Sequence, residues 1–198
     1  MMLLAALVVT TYFDGTESPL SEASRWRKAS NPWHHVQKKD GKAMPSAANQ
    51  SYDDSYALLS GFPNDVKLRA VVVRSNNLDK SCAHEVELLM RMTDTGTSVK
   101  GYEVLLDWSG TVQIMRWNGA MGNFTPIGDG HLGREVATDD VFEAKIVGNH
   151  ITAYMNGGVV AEATDSKYTT GQPGVGFFRR SCGSNSDLSF TSYKATGL

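Results

Sequence analysis

Residues 84–117 read HEVELLMRMTDTGTSVKGYEVLLDWSGTVQIMRW, and the parity of their apolar positions decides the fold. His84, Val86, Leu88, Met90 and Met92 alternate with Glu85, Glu87, Leu89 and Arg91 up to the turn-forming TDTGTS. Tyr102, Val104, Leu106 and Trp108 then alternate with Glu103, Leu105 and Asp107, and Ser109–Gly110 lead into TVQIMRW. A side-chain period of two belongs to a strand with one face on a core, so the stretch predicts antiparallel strands with a hairpin at Ser109–Gly110. The same parity sets Glu85 and Glu87 on one face of a strand and Glu103 and Asp107 on the matching face of the next.

Working outward, Val66, Leu68, Ala70 and Val72 share one face of an earlier strand. Downstream, VFEAKIVG and HITAYMN meet across Gly148 and Asn149. GVVAEAT follows Asn156–Gly157, the strongest hairpin signal in the chain because both turn positions favour residues that accept positive φ. PGVGFFRR and LSFTSYKA supply the last strands. No segment of ten residues carries a clean 3.6-residue period, so the chain reads as all-β, with strands and turns at the spacing of a two-sheet sandwich. Residues 14–65, divided by Pro19, Pro32, Pro45 and Pro63, predict short strands and long loops. No composition shift or charge run divides the 198 residues, and residues 1–198 are expected to form one domain.

Charge and apolar runs exclude two classes of partner. Lys and Arg number 19 against 21 Asp and Glu, leaving no basic surplus to neutralise nucleic-acid phosphates. The opening MMLLAALVV is less than half of the roughly 20 apolar residues that span a bilayer, so no membrane insertion is expected. It lacks the basic start and small-residue cleavage site of a secretory signal, and Ala5–Phe13 reads as a first strand. Cys82 and Cys182 are either two buried thiols or one bridge. A bridge would close a loop of about 100 residues, worth up to about 4–5 kcal/mol in the chain-entropy model.

From residue 99 onward, GYEVLLDWSGTVQIMRWNG, VFEAKIVGNHITAYMNGGVVAEATD, YTTGQPGVGFF and LSFTSYKA follow one another in an order that resembles the concanavalin A-like lectin and glucanase superfamily, in particular laminin G-like jelly-roll domains. TTYFDGTESPLSEASRW resembles the first strand of such domains, whereas residues 30–65 contribute little. The resemblance implies a jelly-roll β-sandwich of two antiparallel sheets. Functionally it implies a range, since this fold carries lectins, glycosidases, polysaccharide lyases, adhesion modules and virion structural proteins.

The residues narrow that range. The Glu-x-Asp-x-x-Glu strand of one glucanase branch is absent, and the lyase ingredients, Arg179, Arg180, His84 and Tyr102, are present without their ordered motifs. Glu85, Glu103 and Asp107 could line a groove together with Arg91, or could equally be a solvated sheet face. Trp117 and Trp33 are the aromatics expected to be exposed and available to stack on sugar rings, whereas Trp26 and Trp108 read as core. Asp14, beside the first strand, and Asp187, before the last, are candidate calcium ligands if the terminal strands run side by side. The expected role is a non-catalytic binding or adhesion module that recognises glycans, extracellular or on a virion surface. The alternative is a structural virion protein, such as a bacteriophage decoration or tail component, acting through contacts with other virion or cell-surface proteins or as an oligomer. A polysaccharide-cleaving enzyme is the third reading.

Overall fold

The computed structural model describes residues 6–46, 53–180 and 182–198; Ala5, the expected start of the first strand, lies outside them. Within these residues the chain forms β1 (Val8–Thr11), β2 (Arg27–Lys28), β3 (His34–Lys39), β4 (Lys42–Pro45), β5 (Asp53–Leu58), β6 (Val66–Arg74), β7 (His84–Asp94) and β8 (Val99–Asp107). There follow β9 (Thr111–Gly119), β10 (Phe124–His131), β11 (Val141–Val147), β12 (His150–Met155), β13 (Gly158–Thr164), β14 (Gln172–Arg179) and β15 (Leu188–Gly197). Among the described residues there is no helix.

One sheet, here sheet B, runs β10-β9-β8-β7-β14-β5; the other, sheet A, runs β4-β15-β6-β11-β12-β13. The architecture is the expected jelly-roll sandwich. β3 joins the two sheets, pairing antiparallel with β4 on one side and parallel with β5 on the other. That parallel contact is the one departure from antiparallel pairing among the described strands. At the opposite side β10 lies against β13, and a Cβ at Gly130 would run into the carbonyl of Val160, so the close approach depends on glycine. β12 and β13 are joined by Asn156 and Gly157, both at positive φ, as the hairpin signal requires.

Before the bulge at Arg91 the even-numbered residues of β7, and those of β8 from Tyr102 on, face the main core. Val86, Leu88 and Met90 pack with Tyr102, Val104 and Leu106, and against Leu68, Ala70, Phe142, Ala144 and Phe190 of sheet A. Trp26 belongs to this core, as expected, and Trp108 packs against its margin. β1 runs antiparallel to β15, so the terminal strands do lie side by side. Cys82, before β7, is bonded to Cys182, after β14, which ties together the ends of two neighbouring strands.

Candidate functional site

The odd-numbered residues of β7 before the bulge at Arg91, and of β8 from Glu103 on, point away from the main core. On that outer face of sheet B, Glu85 is level with Asp107 and with Phe178 of β14, and Glu87 is level with Leu105 and with Gly176. Glu103 sits diagonally from Glu87, between Leu89 and Met115. Asp54 completes the row from β5, opposite Phe178. The sequence around Asp54 reads as a loop, but the residue lies on a strand because β14 recruits that segment as its partner. Asp54, Glu85, Glu87 and Glu103, with Leu105, Gln113, Met115, Phe124 and Phe178, line a cavity of about 170 Å³. Its rim residues Glu85, Gln113, Met115, Phe124 and Phe178 are half-buried, whereas Glu87 and Glu103 form a buried floor.

Three features shape the floor. Glu87 is 1% exposed and its Oε2 has no hydrogen-bond partner among the described residues. That oxygen leans over Gly176, where any Cβ would collide with it. Glu103 accepts a hydrogen bond from the Trp117 indole Nε1–H. Among the described residues lining the cavity there is no Lys, Arg or His. Burial, reinforced by the charges of Glu103 and Asp107, pushes Glu85 up to about 8. Glu103 is likewise raised to about 8, by burial and by Asp54, against the pull of the Trp117 N–H. Glu87 is held well above the carboxylate range by burial and then by Glu103, Asp54 and Glu85. Protonated, such groups both donate to and accept from hydroxyls; ionised, they attract a cation.

Trp117 and Trp33 differ from the expectation of exposure. Parity places Trp117 on the outer face as expected, but neither ring is exposed: Trp117 is 2% and Trp33 4% accessible. Their rings stack on each other, 6.2 Å apart and 16° from parallel, with Tyr56 edge-on to both and Phe124 tilted against Trp117. With Leu58, Leu89, Met92 and Val99 they make a second, smaller core that covers part of the outer face. The loop before β3 and the β9–β10 turn supply its lid through Ala29, Trp33 and Met121.

Arg91 departs from the expected groove. It does not join the acidic row, because the β7–β8 register shifts between Met90 and Thr93, and Arg91 adopts φ 51° there. The bulge turns its buried guanidinium to the carbonyls of Asn64 and Tyr168 and the carboxylate of Asp65. Beyond the bulge the parity is inverted, which is why even-numbered Met92 lies in the outer core. Asp107 remains at the edge of the acidic row, where its Oδ1 accepts from the Ser109 N–H. Asp187 is buried, accepts from the Ser184 N–H at 2.8 Å and faces His84 Nε2 at 3.5 Å, while Asp14 is exposed. Carboxyl oxygens of Glu85, Glu87 and Glu103, in contrast, lie within 4.8 Å of one another.

No protein-family model and no curated protein matches the chain. Solved structures do share its fold. A carbohydrate-binding module, CBM66 from Bacillus subtilis, superposes with a TM-score of 0.59 at 15% identity, over 90% of this chain and 95% of the other. A Bacillus licheniformis β-glucanase gives 0.60 at 12% identity over the whole of both chains. The carbohydrate recognition domain of Emp46p, in a potassium-bound form, gives 0.59 at 10% identity over 94% and 95%. The fold is therefore that of the concanavalin A-like lectins and glucanases. At these identities the likeness defines the fold and no activity.

Proposed function

We propose that this protein is a non-catalytic carbohydrate-binding domain that takes a sugar residue in the acidic cavity on the outer face of sheet B. The observation that carries the reading is the cavity itself, in which Glu85, Glu87 and Glu103 converge beside the half-buried rings of Phe124 and Phe178. Carboxyl groups supply the hydroxyl-reading contacts of a sugar site, and aromatic edges its apolar walls. At about 170 Å³ the space is below the roughly 300–1,000 Å³ of drug-sized sites and suits a single ring or a chain end. The fold it shares with a carbohydrate-binding module and a carbohydrate recognition domain supports the same partner class.

Binding is favoured over hydrolysis by the direction of the acidities. A retaining or inverting site needs one carboxyl kept protonated and another kept ionised. Here Glu85, Glu87 and Glu103 are all pushed upward together, so none is set apart as the ionised partner, and among the described residues no Lys, Arg or His lines the cavity. The Cys82–Cys182 bridge supports an oxidising location, such as an extracellular one.

The test is a glycan and polysaccharide array followed by a product assay on every hit. The expected result is saturable binding without cleavage, weakened by Glu103→Gln and by Phe178→Ala. Released oligosaccharide would overturn the non-catalytic reading, and an empty array would overturn the glycan reading altogether. Trp117→Ala is unsuitable as a probe, because that ring holds the second core together.

A further inference from the structure

We infer that Glu85, Glu87 and Glu103 form a binding site for one hard divalent cation of the calcium type on the floor of this cavity. One carboxyl oxygen from each of the three residues lies within 4.8 Å of the other two. Oxygens bound to a calcium ion at about 2.3–2.6 Å stand up to roughly 5 Å apart, so a single ion can reach all three. The second, independent observation is Glu87 Oε2. It is buried and has no hydrogen-bond partner among the described residues, on a side chain that lines the cavity, and a buried acceptor left unmatched is costly unless something absent from the protein's own atoms satisfies it.

The donor set points to the kind of ion. All three ligands are carboxylate oxygens with no imidazole or thiolate among them, which selects hard cations over zinc or copper. Charge separates a metal from an organic ammonium. A single positive charge would leave two of the three carboxylates uncompensated in a cavity with no Lys, Arg or His among its described lining residues, whereas a divalent ion leaves one. Glu103 already receives the Trp117 indole N–H, so the remaining charge has a donor. Gly176 contributes by being side-chain-free, since any Cβ there would force the Glu87 carboxylate from its position.

Three carboxylates provide three to six of the six to eight oxygens that calcium takes. The other positions face the half-buried rim formed by Gln113, Met115, Phe124 and Phe178. Water fills them in the free protein. If the glycan reading above holds, adjacent sugar hydroxyls replace that water, and the ion becomes the element that reads their geometry; this last step rests on that reading, and the cation site does not.

The experiment titrates EDTA-treated protein with calcium chloride by calorimetry, without any glycan. Terbium, a luminescent calcium substitute, serves as a second probe, excited through Trp117 beside Glu103. The expected result is one ion per chain, a melting temperature that rises with calcium, and terbium emission that calcium displaces. Glu87→Gln and Glu103→Gln, each checked for a native melt, should weaken uptake at least about tenfold by removing ligand charge. Absence of heat and of any thermal shift overturns the site. So does uptake that survives both substitutions, or uptake lost on Asp14→Asn or Asp187→Asn instead. Because no sugar is present, these outcomes leave the array result to stand or fall separately.

Discussion

The Trp117 indole N–H donates to the Glu103 carboxylate, and through that bond the second hydrophobic core grips the floor of the acidic cavity. The two regions are thereby one unit. Trp117 is held in place by Trp33, Tyr56 and Phe124, so the aromatic cluster sets where Glu103 can point.

Removing either stacked ring should damage both regions. Trp117→Ala and Trp33→Ala are each expected to cost about 3–5 kcal/mol of stability, as for other buried large-to-small changes. Trp117→Phe keeps most of the packing but deletes the donor, so it should cost less while still weakening ligand binding. Urea denaturation of the three variants, set beside their binding curves, checks the order.

Stability should fall as pH rises from about 4.5 to about 8 with divalent ions chelated. Glu85 and Glu103 titrate at about 8 when folded and near 4.5 when exposed. Between those values the folded state holds more protons than the unfolded one, so the unfolding free energy declines with pH until the folded groups ionise as well. Thermal melts at closely spaced pH values test the slope. Glu87→Gln should flatten it and raise the melting temperature at alkaline pH by removing Glu87's own ionisation, which burial and then Glu103, Asp54 and Glu85 hold well above the usual range.

Gly176→Ala should destabilise the protein by about 1–3 kcal/mol through overpacking against Glu87. Combining it with Glu87→Ala should recover most of the loss. A double-mutant cycle measures the coupling, and additive effects would show that the glycine is required for some other reason.

Reduction of the Cys82–Cys182 bridge, or Cys82→Ser, is expected to lower stability by up to about 4–5 kcal/mol, the loop-closure value for a separation of 100 residues. Denaturation midpoints with and without dithiothreitol give the figure directly.

Alternation makes the two faces of sheet B legible in the amino-acid sequence, because a strand has no choice but to send neighbouring side chains to opposite sides. It sets Glu85, Glu87 and Glu103 together and keeps Val86, Leu88 and Val104 in the core. Parity does not reveal which outward residues are then covered. Trp33 reaches Trp117 from 84 positions away in the chain, and no local pattern encodes that contact. The displacement of Arg91 is equally invisible, since one bulge inverts the register of everything after it while leaving the apolar spacing intact. Asp54 escapes a reading by pattern because its strand is defined by pairing with β14 and not by its own alternation.

β3 carries hydrogen bonds into both layers through six residues, His34–Lys39. Neither layer can peel away without stripping backbone pairs from the other, so local opening in one is coupled to opening in its neighbour. Hydrogen exchange at β3 should therefore track the global unfolding transition, and the sandwich should melt as a single cooperative unit instead of one sheet at a time.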